Sequence, residues 1–308
     1  MGYLSHIEAF FEGARTLVTS DYAVHLAILV GIYLILAQSF NLTFGLGRMF
    51  NMAHIAAYAI GAYTTALLST GLGVSFWWCI PASMLLCALF AMLIGAISLK
   101  LDTDYFAIGT LAFSSVVTAV LINWKSLTHG VLGIPGIPRP DIGGINFYDN
   151  RNFLILLGIF VVIVLAIIYC LFHSRFARIL RAQAEHSYAA RSLAINLRSV
   201  RNQSFALSSA FAGLAGAFFA YYINYIDPSS FGLHEMVFVF SMVIIGKPGS
   251  FWGVVAATFF LVLLPEPLRF IDIPPSVLGP MRQLLYSVIL FAVVFWKRKT
   301  LFPVERSV

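Results

Sequence analysis

Apolar residues recur along the chain in nine blocks, at 22–44, 53–70, 75–99, 105–123, 153–172, 203–226, 235–246, 250–264 and 283–296. A helix of about 20 residues crosses a hydrocarbon layer of about 30 Å, and most of these blocks are near that length. They are too long and too uniformly apolar for barrel strands of about ten residues that alternate between lipid and lumen. The pattern predicts an all-α polytopic membrane protein of about eight to ten transmembrane helices, some short or discontinuous, with residues 1–308 forming a single transmembrane domain.

Polar and irregular segments punctuate the pattern. Gly45-Leu46-Gly47-Arg48 breaks the first two helices, and Gly246-Lys247-Pro248-Gly249-Ser250 separates two apolar pieces of only 12 and 15 residues. Short pieces parted by Gly and Pro, one pair in each half of the chain, fit discontinuous helices around a translocation path. They equally fit two tight turns. Within 203–226, Ser208, Ala212, Gly216 and Ala220 lie on one helix edge and Ser209, Gly213 and Ala217 on the next. Small residues at that spacing predict close approach of another helix.

Two connections are long. Segment 124–152 holds eight glycines or prolines between Gly130 and Gly144 and reads as an irregular loop. Segment 174–202 has no Gly or Pro, and its apolar positions Ile179, Leu180, Ala184, Tyr188, Leu193 and Ile195 are helically spaced. It predicts a helical loop.

Charge then orients the chain. Only 32 of 308 residues are charged, hydrophobic residues make up 60%, and the mean hydropathy is +0.90. Lipid is therefore the expected solvent. Six of the 19 cations lie in 174–202 (Arg175, Arg178, Arg181, Arg191, Arg198, Arg201) and four follow from Lys297, opposed there only by Glu185 and Glu305. The positive-inside rule and the count of crossings back from a cytoplasmic tail put the 174–202 loop, the 246–250 turn and the tail inside and 124–152 outside. A nucleic-acid arm would need stacking aromatics and a soluble context, so no nucleic-acid partner is expected.

Candidate chemistry is sparse. Cys79, Cys87 and Cys170 sit in apolar runs without metal-ligand or redox spacing and read as packing residues. Gly246-Lys247 is too short for a phosphate-binding loop, so no ATP site is expected. Glu235 and Glu266 lie near span ends, and His54 follows the first Gly break, with no spacing that makes a metal site, a nucleophile or an acid–base pair. No catalytic residue, metal or cofactor is predicted, which leaves two classes. One is a stand-alone secondary carrier or channel for a small polar solute; the other is the membrane subunit of a pump with a separate motor. The Arg-rich helical loop favours the second, because a motor must push on something.

The stretch Asn41-Leu-Thr-Phe-Gly-Leu-Gly-Arg-Met-Phe-Asn-Met-Ala-His-Ile-Ala-Ala-Tyr-Ala-Ile-Gly-Ala-Tyr63 and the runs Tyr105–Phe113 and Ser174–Ala182 resemble the inner-membrane permeases of branched-chain amino-acid ABC importers. So do Ala212-Gly-Leu-Ala-Gly-Ala217, Pro228-Ser-Ser-Phe231 and Gly249-Ser-Phe-Trp-Gly253, with Tyr105–Phe113 suiting the M-type subunit. The resemblance implies a type II-importer-like permease in a bacterial inner membrane. Its partners would be a second homologous permease, two cytoplasmic ATP-binding subunits and a periplasmic substrate-binding protein. Coupling to the ATPases would fall on Arg178, Arg181, Ala182, Ala189, Ala190 and Ile195. Asn41, Asn51, His54 and Thr110 would line the path, with helix packing as their alternative role. Ser208, Ala212, Gly213, Gly216 and Ala217 would pack helices. Two departures stand out: Ala194 replaces a family glycine, and Gly246-Lys247-Pro248-Gly249 replaces Gly-Gly-x-Gly. Related systems carry urea or short amides, so that substrate class stays open beside hydrophobic amino acids.

Overall fold

A computed structural model describes residues 21–98, 103–142, 144–185, 196–266 and 275–301. Helix α1 (Asp21–Phe40) runs directly into a π-helical turn, Asn41–Leu46, and α2 (His54–Ala66) ends in another, Leu67–Gly71. There follow α3 (Phe76–Ser98), α4 (Thr103–Asn123), α5 (Asn150–His173), the amphipathic α6 (Arg175–Glu185) and α7 (Leu197–Ile223). The half-length helices α8 (Leu233–Ile245) and α9 (Phe251–Leu263) form a hairpin, and α10 (Pro275–Leu301) closes the described chain. Among the described residues six helices are long and apolar enough to cross a membrane, and α9 and part of α10 are shorter apolar helices.

Helix α7 occupies the centre. Its small residues Ser208, Ala212, Gly213, Gly216 and Ala217 are all buried, and α2 and α3 pack against it. A Cβ on Gly216 would land on the Tyr58 carbonyl, and one on Gly61 would land on the Gly213 backbone. On the α3 side a Cβ on Gly213 would reach Cys87, whose thiol donates to the Ala57 carbonyl of α2 at 3.1 Å. Gly61 and Gly216 thus set the α2–α7 distance and Gly213 the α3–α7 distance, since any side chain there would push two helices apart. The outer helices turn apolar residues away from the core, with Leu93, Ile108 and Val162 each more than 60% exposed. That is the surface a lipid solvent tolerates.

The two ends of the bundle differ. The basic end gathers Arg48 and α6; the other end carries the 124–149 connection. That connection is less irregular than its composition suggests. A helical turn at Lys125–Thr128 precedes β1 (Ile134–Pro135), and β2 (Asp141–Ile142) pairs antiparallel with β3 (Ile145–Asn146). Strand β1 pairs with β4 (Tyr225–Ile226) just beyond α7. Arg139 fastens the region by donating to the carbonyls of Phe147 and Tyr222 at 3.0 and 3.1 Å and to Asn150 Oδ1 at 2.9 Å. Gly/Pro content announces turns but not the distant strand that pairs with them.

Helix boundaries shift where side chains cap them. Helix α7 begins at Leu197 rather than 203 because Asn196 Oδ1 accepts from Ser199 N at 3.1 Å, so Arg198 and Arg201 belong to its first turns. Helix α5 starts at Asn150 because Asp149 caps Arg151 N at 2.9 Å. Both caps satisfy amides that a helix start leaves open. One side chain reads differently from its expectation: Cys79 and Cys87 are buried, but Cys170 is exposed. The buried stripe of α5 runs through Phe153, Leu157, Val161, Val164, Ile168 and Phe172, and position 170 falls off it.

The α2–α7 crossing yields a direct test by thermal unfolding in detergent. Gly216→Val should destabilise the protein by about 1–3 kcal/mol or more, as overpacking does. Gly158→Ala, where nothing lies within 4 Å of the new Cβ, should be neutral or stabilising by up to about 1 kcal/mol. Equal shifts in the two variants would remove the close crossing as a constraint.

Candidate functional site

The two Gly breaks, remote in sequence, meet at the basic end. A Cβ on Gly45 would collide with Gly249 N, and one on Gly249 would lie 3.0 Å from Gly45 O. Asn41, in the π turn, spans the junction: its Oδ1 accepts from Gly249 N at 2.9 Å and its Nδ2 donates to Ser250 O at 3.3 Å and Gln38 Oε1 at 3.4 Å. Gln38 in turn donates to Phe251 O at 2.7 Å. Both side chains are fully buried. Asn41 supplies a partner to the Gly249 amide that the break between α8 and α9 leaves outside a helix, which lipid could not do, and both side chains tie α1 to the start of α9.

His54 opens α2 and is buried against α1 and α7. Its Nε2 lies 3.2 Å from both Leu36 O and Ser39 Oγ, and its Nδ1 lies 3.4 Å from Ser208 Oγ. The Leu36 carbonyl can only accept, so the hydrogen-bond network places the ring proton on Nε2. Ser208 Oγ donates to Ser39 O at 2.6 Å, so this small packing residue of α7 also ties the same three helices together.

Asn51 and Thr110 complete the inner side of the break. Asn51 Oδ1 accepts from Ala53 N at 2.9 Å, turning the chain into α2, and its Nδ2 has no partner among the described residues. Thr110, on α4, accepts from Met52 N at 3.1 Å and donates to Ala107 O at 2.9 Å. Phe40, Phe44, Phe50 and Phe240 pack ring against ring around the break, with the Phe50–Phe240 centroids 4.9 Å apart. The four proposed path residues therefore lie at one level of the bundle, all fully buried in this conformation.

Helix α6 rests on this junction. Ala177, Leu180 and Gln183 are buried, and Gly47 approaches within reach of Leu180, 3.4 Å from a Cβ built on the glycine. Arg178, Arg181 and Ala182 face outward. Ala189, Ala190 and Ile195 lie outside the described residues. At the opposite end, Asp227 caps the turn Pro228–Phe231. Burial opposes its charge, yet donation from the hydroxyls of Ser229 and Ser230 and from the Ser230 amide holds its carboxyl below the usual carboxylate range.

Gln38 carries no spacing motif, although a polar side chain well inside an apolar span is a signal in itself. Glu235 has no role legible from its position in the sequence. The structure brings Tyr33 of α1 to it: the Tyr33 hydroxyl donates to the carboxylate oxygens at 3.1 and 3.3 Å. Only the tertiary fold pairs these two. Among the described residues no cluster of His, Cys, Asp or Glu could hold a metal ion.

Comparison with known proteins bears on this arrangement. Residues 22–294 match the family described as branched-chain amino acid transport system, permease component. The chain is 33% identical over 307 residues to the high-affinity branched-chain amino acid transport system permease protein LivM of Escherichia coli, covering 92% of this chain and 70% of that one. It is 32% identical over 308 residues to the protein of the same name from Salmonella typhimurium, covering 92% and 71%. No solved structure matches the chain.

The departure from Gly-Gly-x-Gly falls where backbone geometry matters. Lys247 occupies the left-handed region at φ 71°, and Gly249 does so at φ 81°. A non-glycine residue there costs roughly 1–2 kcal/mol. Lys247→Gly should therefore raise thermal stability in detergent, by up to about 1 kcal/mol once the added freedom of the unfolded chain is counted. Gly249→Ala should lower it, because its Cβ also meets Gly45 O. Destabilisation by Lys247→Gly equal to that of Gly249→Ala would show that the lysine is held by something other than the turn.

Proposed function

Because the chain belongs to the family of permease components of branched-chain amino acid transport systems, we propose that it is the membrane-spanning subunit of an importer whose energy comes from ATP hydrolysed on separate subunits. It is a multi-pass protein of the inner membrane. Its partners in this reading are two cytoplasmic ATP-binding subunits, a second homologous permease and a periplasmic substrate-binding protein, and its cargo is a branched-chain or other hydrophobic amino acid.

The observation that carries the reading is the seat of α6. This helix exposes Arg178 and Arg181 on one side and presses Leu180 toward Gly47 on the other. Gly47 ends the π turn whose Asn41 holds Gly249. Displacement of α6 by a motor would thus act on both Gly breaks through contacts already in place. A motor shifts a conformational equilibrium only through contacts that differ between the two states, and a helix between a basic surface and the buried polar level is suited to that. Asn41, Asn51, His54 and Thr110 would form the gate of the path at this level, which opens when the two breaks separate.

Topology is tested by cysteines placed singly in a background lacking the native three. Glu185→Cys should react with an impermeant maleimide only from the cytoplasmic side, and Leu132→Cys only from the periplasmic side. Labelling of position 185 from outside intact cells would invert the assignment.

Transport is tested by reconstitution with the ATPases, second permease and binding protein. ATP-dependent uptake of leucine, isoleucine or valine is expected. Uptake of urea or a short amide in their place would change the substrate class, and uptake by this chain alone under an ion gradient would favour a secondary carrier. Within the complex, Ala190→Trp should abolish co-purification of the ATPases while membrane insertion persists, since bulk obstructs a close-fitting groove. Arg178→Ala should change uptake by less than about fivefold, as exposed ion pairs contribute little.

A further inference from the structure

A second feature lies away from the polar junction. Helices α1, α8, α9 and α10 line a half-open cavity of about 490 Å³ between the Tyr33 level and the end that carries the 124–149 connection. Its walls are mostly apolar, with Leu26 and Leu29 from α1, Phe238 from α8 and Val262 from α9. Tyr33, Phe238 and Tyr286 form an aromatic floor, with ring centroids 5.1 Å apart for Tyr33–Phe238 and 4.5 Å for Phe238–Tyr286. Tyr22 donates to Glu266 one turn beyond Leu26, at the rim. Size and lining suit a small ligand, since such sites are apolar with a few placed polar groups.

Glu235 is the group that needs an explanation. It stands in the first turn of α8, where the helix dipole favours a carboxylate, and the Tyr33 hydroxyl steadies it from midway along the first span. Among the described side chains that line the cavity there is no lysine or arginine. A carboxylate at membrane depth is costly, and such groups in membrane proteins mark the route of a substrate or ion. An apolar wall next to a carboxylate matches one chemistry: a primary ammonium carried on an aliphatic body. Gln283 and His234, which line the same cavity, offer donors for a second polar group on that ligand.

We propose that this cavity is a binding station for the transported amino acid, with the substrate ammonium on Glu235 and its aliphatic side chain on Leu26, Leu29, Phe238 and Val262. The proposal rests on the transport reading above and adds a location and an anchoring group to it. An ethanolamine lipid carries the same ammonium on an apolar body, and the test separates the two occupants.

Leu29→Cys in the cysteine-free background, assembled with the partner subunits in bilayers lacking phosphatidylethanolamine, reports occupancy by its rate of maleimide labelling. Leucine and isoamylamine should slow labelling by at least about fivefold and isocaproate, which lacks the ammonium, should not. Glu235→Gln should abolish protection, with Glu235→Asp restoring part of it. Tyr33→Phe, which keeps the carboxylate but frees it, should raise the leucine concentration needed for half-protection by about three- to tenfold, the equivalent of one ordinary hydrogen bond. Protection by isocaproate equal to that by leucine, or protection that survives in Glu235→Gln, would overturn the proposal. So would protection that appears only when phosphatidylethanolamine is restored and is indifferent to leucine, which assigns the cavity to lipid. Leucine uptake by the same assembly separates the two readings: uptake without protection rejects this station and leaves the transport function standing, whereas no uptake of any branched-chain amino acid rejects both.

Discussion

A backbone amide or carbonyl released from a helix inside a membrane cannot turn to water, so some side chain of the protein must take it up. In this chain Asn41 does so. Its carboxamide receives Gly249 N and reaches Ser250 O, while the neighbouring Gln38 reaches Phe251 O. The break after α1 and the break between α8 and α9 are thereby one structure. The π turn from Asn41 to Leu46 delivers Gly45 against Gly249, where only glycines fit.

The remaining architecture holds that junction in register. Close passage of α7 over α2 at Gly61, Gly213 and Gly216 carries Ser208 to the Ser39 carbonyl and beside His54, so the small-residue crossing and the polar level share residues. Opposite, Arg139 and the β1–β4 pair fasten the far end of α7. The bundle is thus clamped at one end and jointed at the other.

The cavity beside α8 extends the same economy of polar groups. Glu235 and Tyr33 face each other in a chamber that is otherwise mostly aliphatic and aromatic, with Tyr33 about two helical turns before Asn41.

The sequence by itself determined the membrane solvent, the helices and the side on which the cations gather, because apolar length and charge position act locally along the chain. It also marked the two Gly breaks and the small-residue edge of α7, since glycine and alanine announce close backbone approach without a partner being known. Family membership was legible in short runs such as Asn41–Tyr63. Tertiary structure decided what meets what. Nothing local joins Asn41 to Gly249, Tyr33 to Glu235 or Ile134 to Ile226, separated in each case by about ninety residues or more. It also turned Cys170 outward while burying Cys79 and Cys87, because a helix in lipid offers apolar positions on every face and only its packed neighbours choose which of them to cover.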